Sequence, residues 1–305
     1  MRIARPYPCF VICAYSVSSE YPACRLLAEA LSGVAELTLQ PAAELTGSVH
    51  GIDRVPRGVL ENGFFEYPRT RVVATIEQVG RDRSICRLFG TAKFRGPASG
   101  GGSQAQPPIS FDFSAGNVTV LGERVRHSCL MLSLPAQEFA GLEWAAVCGF
   151  LRSTVLGWAD RIPSLSSLFV DYAWSGRHAA GRGYVSEAIL PEELSFRLEQ
   201  ESWEQMAPGR PELLRGVFWA NHFSQVQLAR LGDRAQLQGW LTGRVRQPRN
   251  TGVRCHCIET PCGGMYVETA EMPCKWPRLE PWTLDAPSAL EVYNCCRDAG
   301  LLAWR

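Results

Sequence analysis

The stretch Pro8-Cys-Phe-Val-Ile-Cys-Ala-Tyr15 is a run of apolar residues that favour β structure, and it predicts a buried first strand. A helical stretch opens after it at Ser19 or Glu20, because apolar side chains then recur at helical spacing, and Gly33 is expected to end this helix. Residues 34–39 alternate between apolar and polar as a half-buried strand does. The chain therefore begins with a predicted β-α-β order.

Strands dominate the prediction for the following part of the chain. Residues 41–62 contain proline and glycine without clear periodicity and predict a long loop, whereas 64–78 and 84–94 predict a hairpin that turns at 80–82. Residues 96–108 are rich in Gly, Ser and Pro, and they predict a flexible loop between strands rather than a domain boundary.

A second hairpin and a long helix complete the first half. Residues 109–113 and 118–121 flank Ser-Ala-Gly-Asn, which is typical of a hairpin turn, and 127–134 predict another strand. Residues 137–158 predict the strongest helix of the chain, because their apolar side chains recur along one continuous face.

The second half has strands and helices in a similar order. Its predicted elements are a strand at 168–174, a helix at 191–206, a strand at 215–222, a helix capped by Ser224 and Gln227 and ended by Gly232, a hairpin over 253–260 and 264–269, and a last helix from Ser288 to Gly300. Strands that cluster between helices favour an α+β fold over a parallel doubly wound sheet. We therefore predict two α+β lobes, 1–162 and 163–305, built mainly of antiparallel sheets packed against helices.

Composition excludes several classes of protein. The chain has 305 residues, of which 46% are hydrophobic and 20% charged, and its formal net charge is +1. These values are ordinary for a globular protein and exclude wholesale disorder, a collagen-like repeat and a coiled coil. No apolar run reaches the roughly 18 residues of a membrane-spanning helix, and the near-zero charge gives no support to a globally basic nucleic-acid binder. We therefore expect neither membrane nor nucleic-acid partners.

Twelve cysteines raise the question of disulfides or a metal site. The N-terminus makes a poor signal peptide, because its apolar stretch is short and no small-residue cleavage site follows, so we predict free thiols in a reducing cytoplasm. The best zinc candidate is Cys255-His256-Cys257 with Cys262 and Cys274. Zinc knuckles use C-x2-C, whereas C-x-C on a strand turns its middle residue away, so ordinary thiols are favoured over zinc. No metal or other cofactor is predicted, and a disulfide formed during purification stays open.

A cysteine nucleophile needs a base close in space, and the candidates are His222 or His256 with Cys257 or Cys262. A chain with five histidines and twelve cysteines offers such pairs by chance. The sequence contains no serine-hydrolase elbow, zinc-protease helix, P-loop or dinucleotide fingerprint. The prediction is therefore a protein without catalytic residues, and the alternative is a cytosolic enzyme whose Cys/His site is assembled from scattered residues.

Two surface features are candidates for binding a protein partner. One is the acidic stretch over the predicted helix 191–206, and the other is a proline-broken segment with two tryptophans, which are typical interface anchors. The candidate residues are Glu192, Glu193, Glu199, Glu201, Glu204, Trp276 and Trp282. Alternatively, the glutamates form a solvated helix face and the tryptophans fold back as a lid over the second lobe. The basic cluster 244–254 is interpreted as a solvated turn rather than a phosphate contact.

The passage Arg215-Gly-Val-Phe-Trp-Ala-Asn-His-Phe-Ser224, followed by Leu228-Ala-Arg-Leu-Gly232, resembles bacterial immunity proteins of type VI secretion systems. In that family, a strand with an aromatic-Trp-Gly/Ala-Asn core leads into a short helix that ends in Leu-Gly. A Gly-Gly hairpin, a Pro-rich stretch and a C-terminal helix follow, and the corresponding residues here are Gly263-Gly264, 273–281 and 288–299. The resemblance covers roughly residues 165–305 and is to the immunity family paired with restriction-endonuclease-fold nuclease toxins.

The resemblance implies a non-enzymatic protein of the cytoplasm. Such a protein binds and neutralises a cognate secreted antibacterial effector, expected to be a nuclease toxin encoded by an adjacent gene. A nuclease exposes a basic cleft to phosphates, so carboxylates of an inhibitor are suited to occupy it. Binding of a small molecule is a third and weaker hypothesis. An enzyme requires a concave pocket with a perturbed Cys, His or acid, whereas an immunity protein requires a large complementary surface.

Overall fold

The fold combines a large sheet with helices, in a computed structural model that describes residues 7–18, 20–54, 63–94, 107–120, 123–174, 212–214, 216–232, 256–269, 271–272, 274–275, 280–281 and 287–302. The strands of the main sheet are β1 (Pro8–Ser16), β2 (Leu45–Asp53), β3 (Phe64–Arg71), β4 (Ile85–Phe94), β5 (Ile109–Val120), β6 (Glu123–Pro135), β7 (Leu165–Trp174), β8 (Ala220–Phe223), β9 (His256–Glu259) and β10 (Met265–Glu268). The helices are α1 (Ala23–Leu37), α2 (Val72–Asp82), α3 (Trp144–Arg161), α4 (Gln225–Leu231) and α5 (Pro287–Asp298), with 3-10 turns at Ala42–Glu44 and Ala136–Phe139. A separate two-stranded ladder pairs β11 (Cys274–Lys275) with β12 (Glu280–Pro281).

The main sheet has ten strands in the order β3-β2-β4-β5-β6-β1-β7-β8-β10-β9, and its strand pairs are antiparallel. The predicted α+β class is therefore confirmed, because the described helices do not connect parallel neighbours. None of these helices combines the length and the apolar character needed to cross a bilayer.

The first strand lies in the middle of the sheet and is buried along its whole length, as its sequence predicts. On one face, Phe10 and Ile12 join the main core, which also contains the apolar faces of α1 and α3. On the other face, Val11 and Cys13 belong to a cluster with Phe169. A strand covered on both sides needs apolar residues at every position, which explains why the run is continuous rather than alternating.

The first helix is longer than its sequence pattern predicts. It runs through Gly33, so the predicted helix end at this glycine and the predicted strand 34–39 are wrong. Val34 and Ala35 are buried and extend the apolar face of the helix. A Cβ at position 33 would lie 3.0 Å from Cε2 of Phe150, so the glycine serves close packing between α1 and α3 rather than helix termination.

The predicted loop 41–62 and the hairpin after it are wrong. The loop contains β2, and α2 separates β3 from β4, so the predicted turn at 80–82 is the end of a helix. Both β3 and β4 pair with β2, one on each side of it. Val72, Ile76 and Val79 are buried on α2, and their spacing is the helical pattern that the hairpin prediction overlooked.

The second predicted hairpin is displaced along the chain. The fifth strand runs without a break through the predicted turn at 114–117 and pairs with β6 so that Val120 lies opposite Glu123. The predicted strand 127–134 lies within β6 and is confirmed. The predicted helix 137–158 is confirmed from Trp144 onward, because the residues before it form a 3-10 turn and a short connection.

The sheet continues across the predicted boundary between lobes. The seventh strand pairs with β1 on one side and with β8 on the other, and β10 lies next to β8. The described strands of both halves thus belong to one sheet, while the division into 1–162 and 163–305 stays a prediction. The second half also has a hydrophobic cluster of its own, which includes Phe223, Leu228 and Met265.

In the second half, the predicted start of β8 is wrong, whereas the predicted end of α5 is confirmed. The strand predicted at 215–222 is shorter, because β8 begins at Ala220. The last helix ends at Asp298, and Gly300 follows it with a φ of 66°. This left-handed conformation suits glycine and closes the helix, as predicted.

Two contacts tie α3 to the second half of the chain. Glu268 of β10 is 4% exposed and accepts hydrogen bonds from Nε and Nη2 of Arg152 at 2.9 and 3.0 Å. The Tyr266 hydroxyl donates to the same carboxylate at 3.0 Å, and burial, with Glu268 as the next cause, raises the pKa of Tyr266 so that it stays a donor. In the apolar contact, Trp144 meets Trp219 edge-on with ring centres 5.5 Å apart.

Candidate functional site

The predicted partner-binding residues lie outside the part of the chain that the structure describes. They are Glu192, Glu193, Glu199, Glu201, Glu204, Trp276 and Trp282. The same holds for three predicted segments, which are the helix 191–206, the basic cluster 244–254 and the loop 96–108 as far as residue 106. In the sequence, Trp276 and Trp282 directly follow β11 and β12, which pair with Lys275 opposite Glu280. The role of these residues in binding a partner stays a prediction.

The described residues of the family-like motif form a scaffold around the start of β8. Trp219 is fully buried in the main core. Asn221 is 2% exposed, and its side-chain oxygen accepts from Phe218 N at 2.9 Å while its Nδ2 donates to Phe218 O at 2.8 Å. An asparagine that satisfies both backbone groups of a neighbour fixes the chain as it enters the strand, so the motif has a structural cause.

The predicted capping box of α4 is confirmed. Ser224 Oγ accepts from Gln227 N at 3.4 Å, and Gln227 Oε1 accepts from Ser224 N at 2.9 Å. The Nε2 of Gln227 also donates to Ser166 O of β7 at 2.6 Å, so the capping residue anchors the helix to the sheet. Gly232 ends the helix with a φ of 98°, as its position in the sequence predicts.

The predicted hairpin is confirmed between β9 and β10, and both of its adjacent glycines have a steric cause. Gly263 has a φ of 81°, where a side chain is strained. A Cβ on Gly264 would lie 2.5 Å from Nε2 of His222 and 2.6 Å from the carbonyl oxygen of Phe223. The two glycines therefore let the turn of the hairpin approach β8 closely.

This close approach brings one of the predicted Cys–His pairs together. Nε2 of His222 lies 3.8 Å from Sγ of Cys262 and 3.3 Å from Oγ1 of Thr260, which itself lies 3.1 Å from the sulfur. Cys262 is exposed on the turn, so solvent reaches its thiol. The arrangement places an accessible thiol, a hydroxyl and an imidazole within contact of one another.

Burial makes His222 a weak base. The residue is 3% exposed, and desolvation by this burial lowers its pKa to about 4. Its Nδ1 is buried and makes no hydrogen bond to any described residue, whereas the base of an activated nucleophile is itself oriented by a third group. At neutral pH the imidazole is therefore uncharged and poorly suited to withdraw the thiol proton.

The other thiols include several that are held protonated. Burial raises the pKa of Cys9 and Cys24 to about 11, and that of Cys148 and Cys257 to about 12 with the Glu268 carboxylate as the next cause. The ten cysteines whose side chains the structure describes are free. A buried neutral thiol packs as a small hydrophobe, which fits the apolar sequence around most of them. No group of three potential metal ligands is found among the described residues.

A cleft of about 660 Å³ lies against the N-terminal end of α1 and the last turn of α2. Its lining includes Tyr21, Ile85, Phe113, Arg25, Glu29, Glu77, Arg81 and Arg83. These residues come from separate parts of the first half, so no local sequence pattern predicts the cleft. Two of its three arginines already bind carboxylates, because Arg25 pairs with Glu29 and Arg83 with Asp53. The cleft has the volume of a typical ligand-binding pocket, and most of its charged side chains are already in ion pairs.

The low pKa of His222 predicts a fold that loses stability in acid. The unfolded imidazole takes up a proton near pH 6.5, whereas the folded one stays neutral down to about pH 4. The free energy of unfolding is therefore expected to fall by about 3 kcal/mol as the pH is lowered from about 6.5 to about 4. Above pH 6.5, the full stabilisation from the neutral His222 is present. Urea unfolding across this range measures the slope, which His222→Gln should reduce. An unchanged slope in H222Q contradicts the assignment.

No family model matches the sequence, and a search of curated proteins finds no match.

Proposed function

We propose that this chain is an immunity protein, which neutralises a cognate antibacterial effector by protein–protein contact and without catalysis. The family that it resembles comprises type VI secretion immunity proteins paired with restriction-endonuclease-fold nuclease toxins. The member that the motif resembles is TsiT, which is paired with the toxin TseT. The partner is expected to be the product of an adjacent gene, and the site of action is the cytoplasm.

The order and geometry of the C-terminal elements carry the proposal. A strand that follows Trp219, a capped helix that ends at Gly232, a Gly-Gly hairpin and a final helix succeed one another in the order that the resemblance implies. The described motif residues stand where the backbone needs those residue types, at a cap, at a positive φ and at a close contact. Caps and turns need these residue types in any fold, so the order of the elements is what supports a shared scaffold.

Growth of cells that make the toxin tests the proposal directly. The product of the adjacent gene is expected to be lethal when made alone. Co-expression with this chain is expected to restore growth and to give a single complex in size-exclusion chromatography. Two separate peaks together with a harmless neighbour contradict the proposal.

The enzyme alternative has one observation in its favour, the 3.8 Å contact between His222 and Cys262. The low basicity of the buried His222 weakens that alternative, because the nucleophilic form of cysteine is the thiolate, and a base must take up the thiol proton to form it. Cys262→Ser distinguishes the two functions in the same growth assay. The variant should protect cells as well as the wild-type chain does if protection needs only binding, and it should fail if the thiol performs the chemistry.

The acidic stretch predicts an affinity that depends on charge. Replacing Glu193, Glu199 and Glu201 together with lysine is expected to weaken binding to the toxin at least about tenfold at low salt, because close charge pairs at an interface contribute several kcal/mol. The loss should shrink as salt is added, since ions screen exposed charges. Titration of the complex at two ionic strengths measures both effects.

The matched control changes the same number of charges elsewhere. Glu77, Asp82 and Asp160 are exposed, and their replacement with lysine alters the net charge equally. This control is expected to bind the toxin within about twofold of the wild-type affinity, as surface charges away from an interface usually do. Equal losses in both triple variants would remove the acidic stretch from the interface.

A further inference from the structure

Leu39 combines two unfavourable features at one position. It is 90% exposed, whereas the next most exposed large hydrophobic residues described, Phe64 and Val226, are 53% exposed. A single exposed apolar side chain is common on protein surfaces and carries no argument alone. Leu39 also has a φ of 55°, a left-handed conformation that neither of the other two residues has.

The end of α1 imposes this conformation. Leu39 N donates to Glu36 O at 3.1 Å, and Gln40 N donates to Ala35 O at 2.9 Å, so the helix closes around a left-handed residue. Glycine is usual at such a position, because a Cβ is strained there. A glycine would close the helix with less strain and would expose no apolar surface, so nothing within the described fold explains the leucine.

The charged residues near Leu39 in the sequence are acidic. Between Arg25 and Arg54 the chain has no lysine or arginine, and its carboxylates there are Glu29, Glu36, Glu44 and Asp53. Glu36 lies one helical turn before Leu39, and Glu44 lies on the 3-10 turn that packs against α1. Both glutamates are exposed and form no salt bridge to a described residue. Leu39 is therefore an exposed apolar residue close in the chain to two carboxylates that no described cation pairs with.

We propose that Leu39 is the apolar anchor of a protein interface whose partner presents a cationic surface around an apolar depression. The inference rests on the proposed function, which supplies such a partner, because a nuclease exposes cations to hold phosphates. Leu39 enters the depression while Glu36 and Glu44 meet the cations around it, as an apolar hot spot does inside a polar rim. In the free protein, the side chain is exposed and its backbone strained, and burial of the side chain in the complex offsets both.

Leu39→Gly separates a role in binding from a role in stability, because it should lower the affinity for the toxin without lowering the Tm. The variant is expected to bind the toxin at least about tenfold more weakly, since it removes the anchor. Its Tm should equal or exceed that of the wild-type chain, since glycine suits the left-handed conformation. Binding is measured by titration against the toxin obtained from the co-expressed complex, and Tm by thermal unfolding of the free chain.

Val226→Ala is the matched control, because Val226 is an exposed apolar residue without a positive φ. It should bind the toxin within about twofold of the wild-type affinity. A toxin that binds the wild-type chain and L39G equally overturns this inference and leaves the immunity function standing. A lower Tm in L39G also overturns it, because the leucine would then serve the fold. A wild-type chain that binds no product of the adjacent gene contradicts both proposals.

Discussion

Replacing Arg152 with methionine is expected to lower the free energy of unfolding by about 3 kcal/mol, because it leaves a buried carboxylate without its cation. The Glu268 side chain is 5% exposed and receives two hydrogen bonds from the guanidinium. Without them, its described donors are the Tyr266 hydroxyl and the Cys148 thiol. Thermal unfolding should show a Tm lower by roughly 5 °C.

Arg25→Met is the matched control, because Arg25 also pairs with a glutamate but does so on the surface. Its side chain is 75% exposed, and such a pair contributes about 1 kcal/mol or less. The double variant R152M/E268L should recover part of the loss, since it leaves no unpaired charge at this position. Equal and small losses in R152M and R25M would contradict the dependence of Glu268 on its cation.

Trp219→Ala is expected to lower the free energy of unfolding by about 4 kcal/mol, the largest change that we predict. The indole is fully buried and meets Trp144 of α3, so its removal leaves a large cavity where the two halves of the chain join. Chemical denaturation with urea measures the loss as a shift of the midpoint at constant slope.

Trp219→Phe keeps an aromatic ring at the same place and should lose less than half as much stability, because the cavity is smaller. The exposed residue Val226 gives a second comparison, since truncation there changes little buried surface. A loss below about 1 kcal/mol in W219A would show that neighbouring side chains collapse into the space. In that case the tryptophan of the motif would not be needed for packing.

Local sequence patterns predicted elements well where a single cause decided them. The unbroken apolar run at β1 reflects burial on both faces, and Ser224 with Gln227 satisfies the orphan amides of a helix start. Patterns failed where glycine served packing between elements. Gly33 admits Phe150, and Gly47 of β2 lies against the carbonyl of Thr91, so both glycines reflect a distant neighbour rather than a local turn.

The candidate site shows a similar division. His222 and Cys262 were one of several Cys–His pairs that the sequence made possible. Their 3.8 Å contact depends on the pairing of β10 with β8. Pairing between strands that are far apart in the chain is not visible in local periodicity. Leu39 escaped prediction for a related reason, because residues 34–39 alternate like a strand and only the three-dimensional end of α1 exposes this side chain.

The central position of β1 has a consequence for the synthesis of the chain. Its partners, β6 and β7, are both far downstream in the chain, so β1 is made long before either neighbour that covers its edges. At about 5–20 residues per second, the stretch up to β7 takes on the order of ten seconds to translate. During that interval an apolar strand with open edges is prone to aggregation, so we expect the nascent chain to depend on chaperones until residue 174 has emerged.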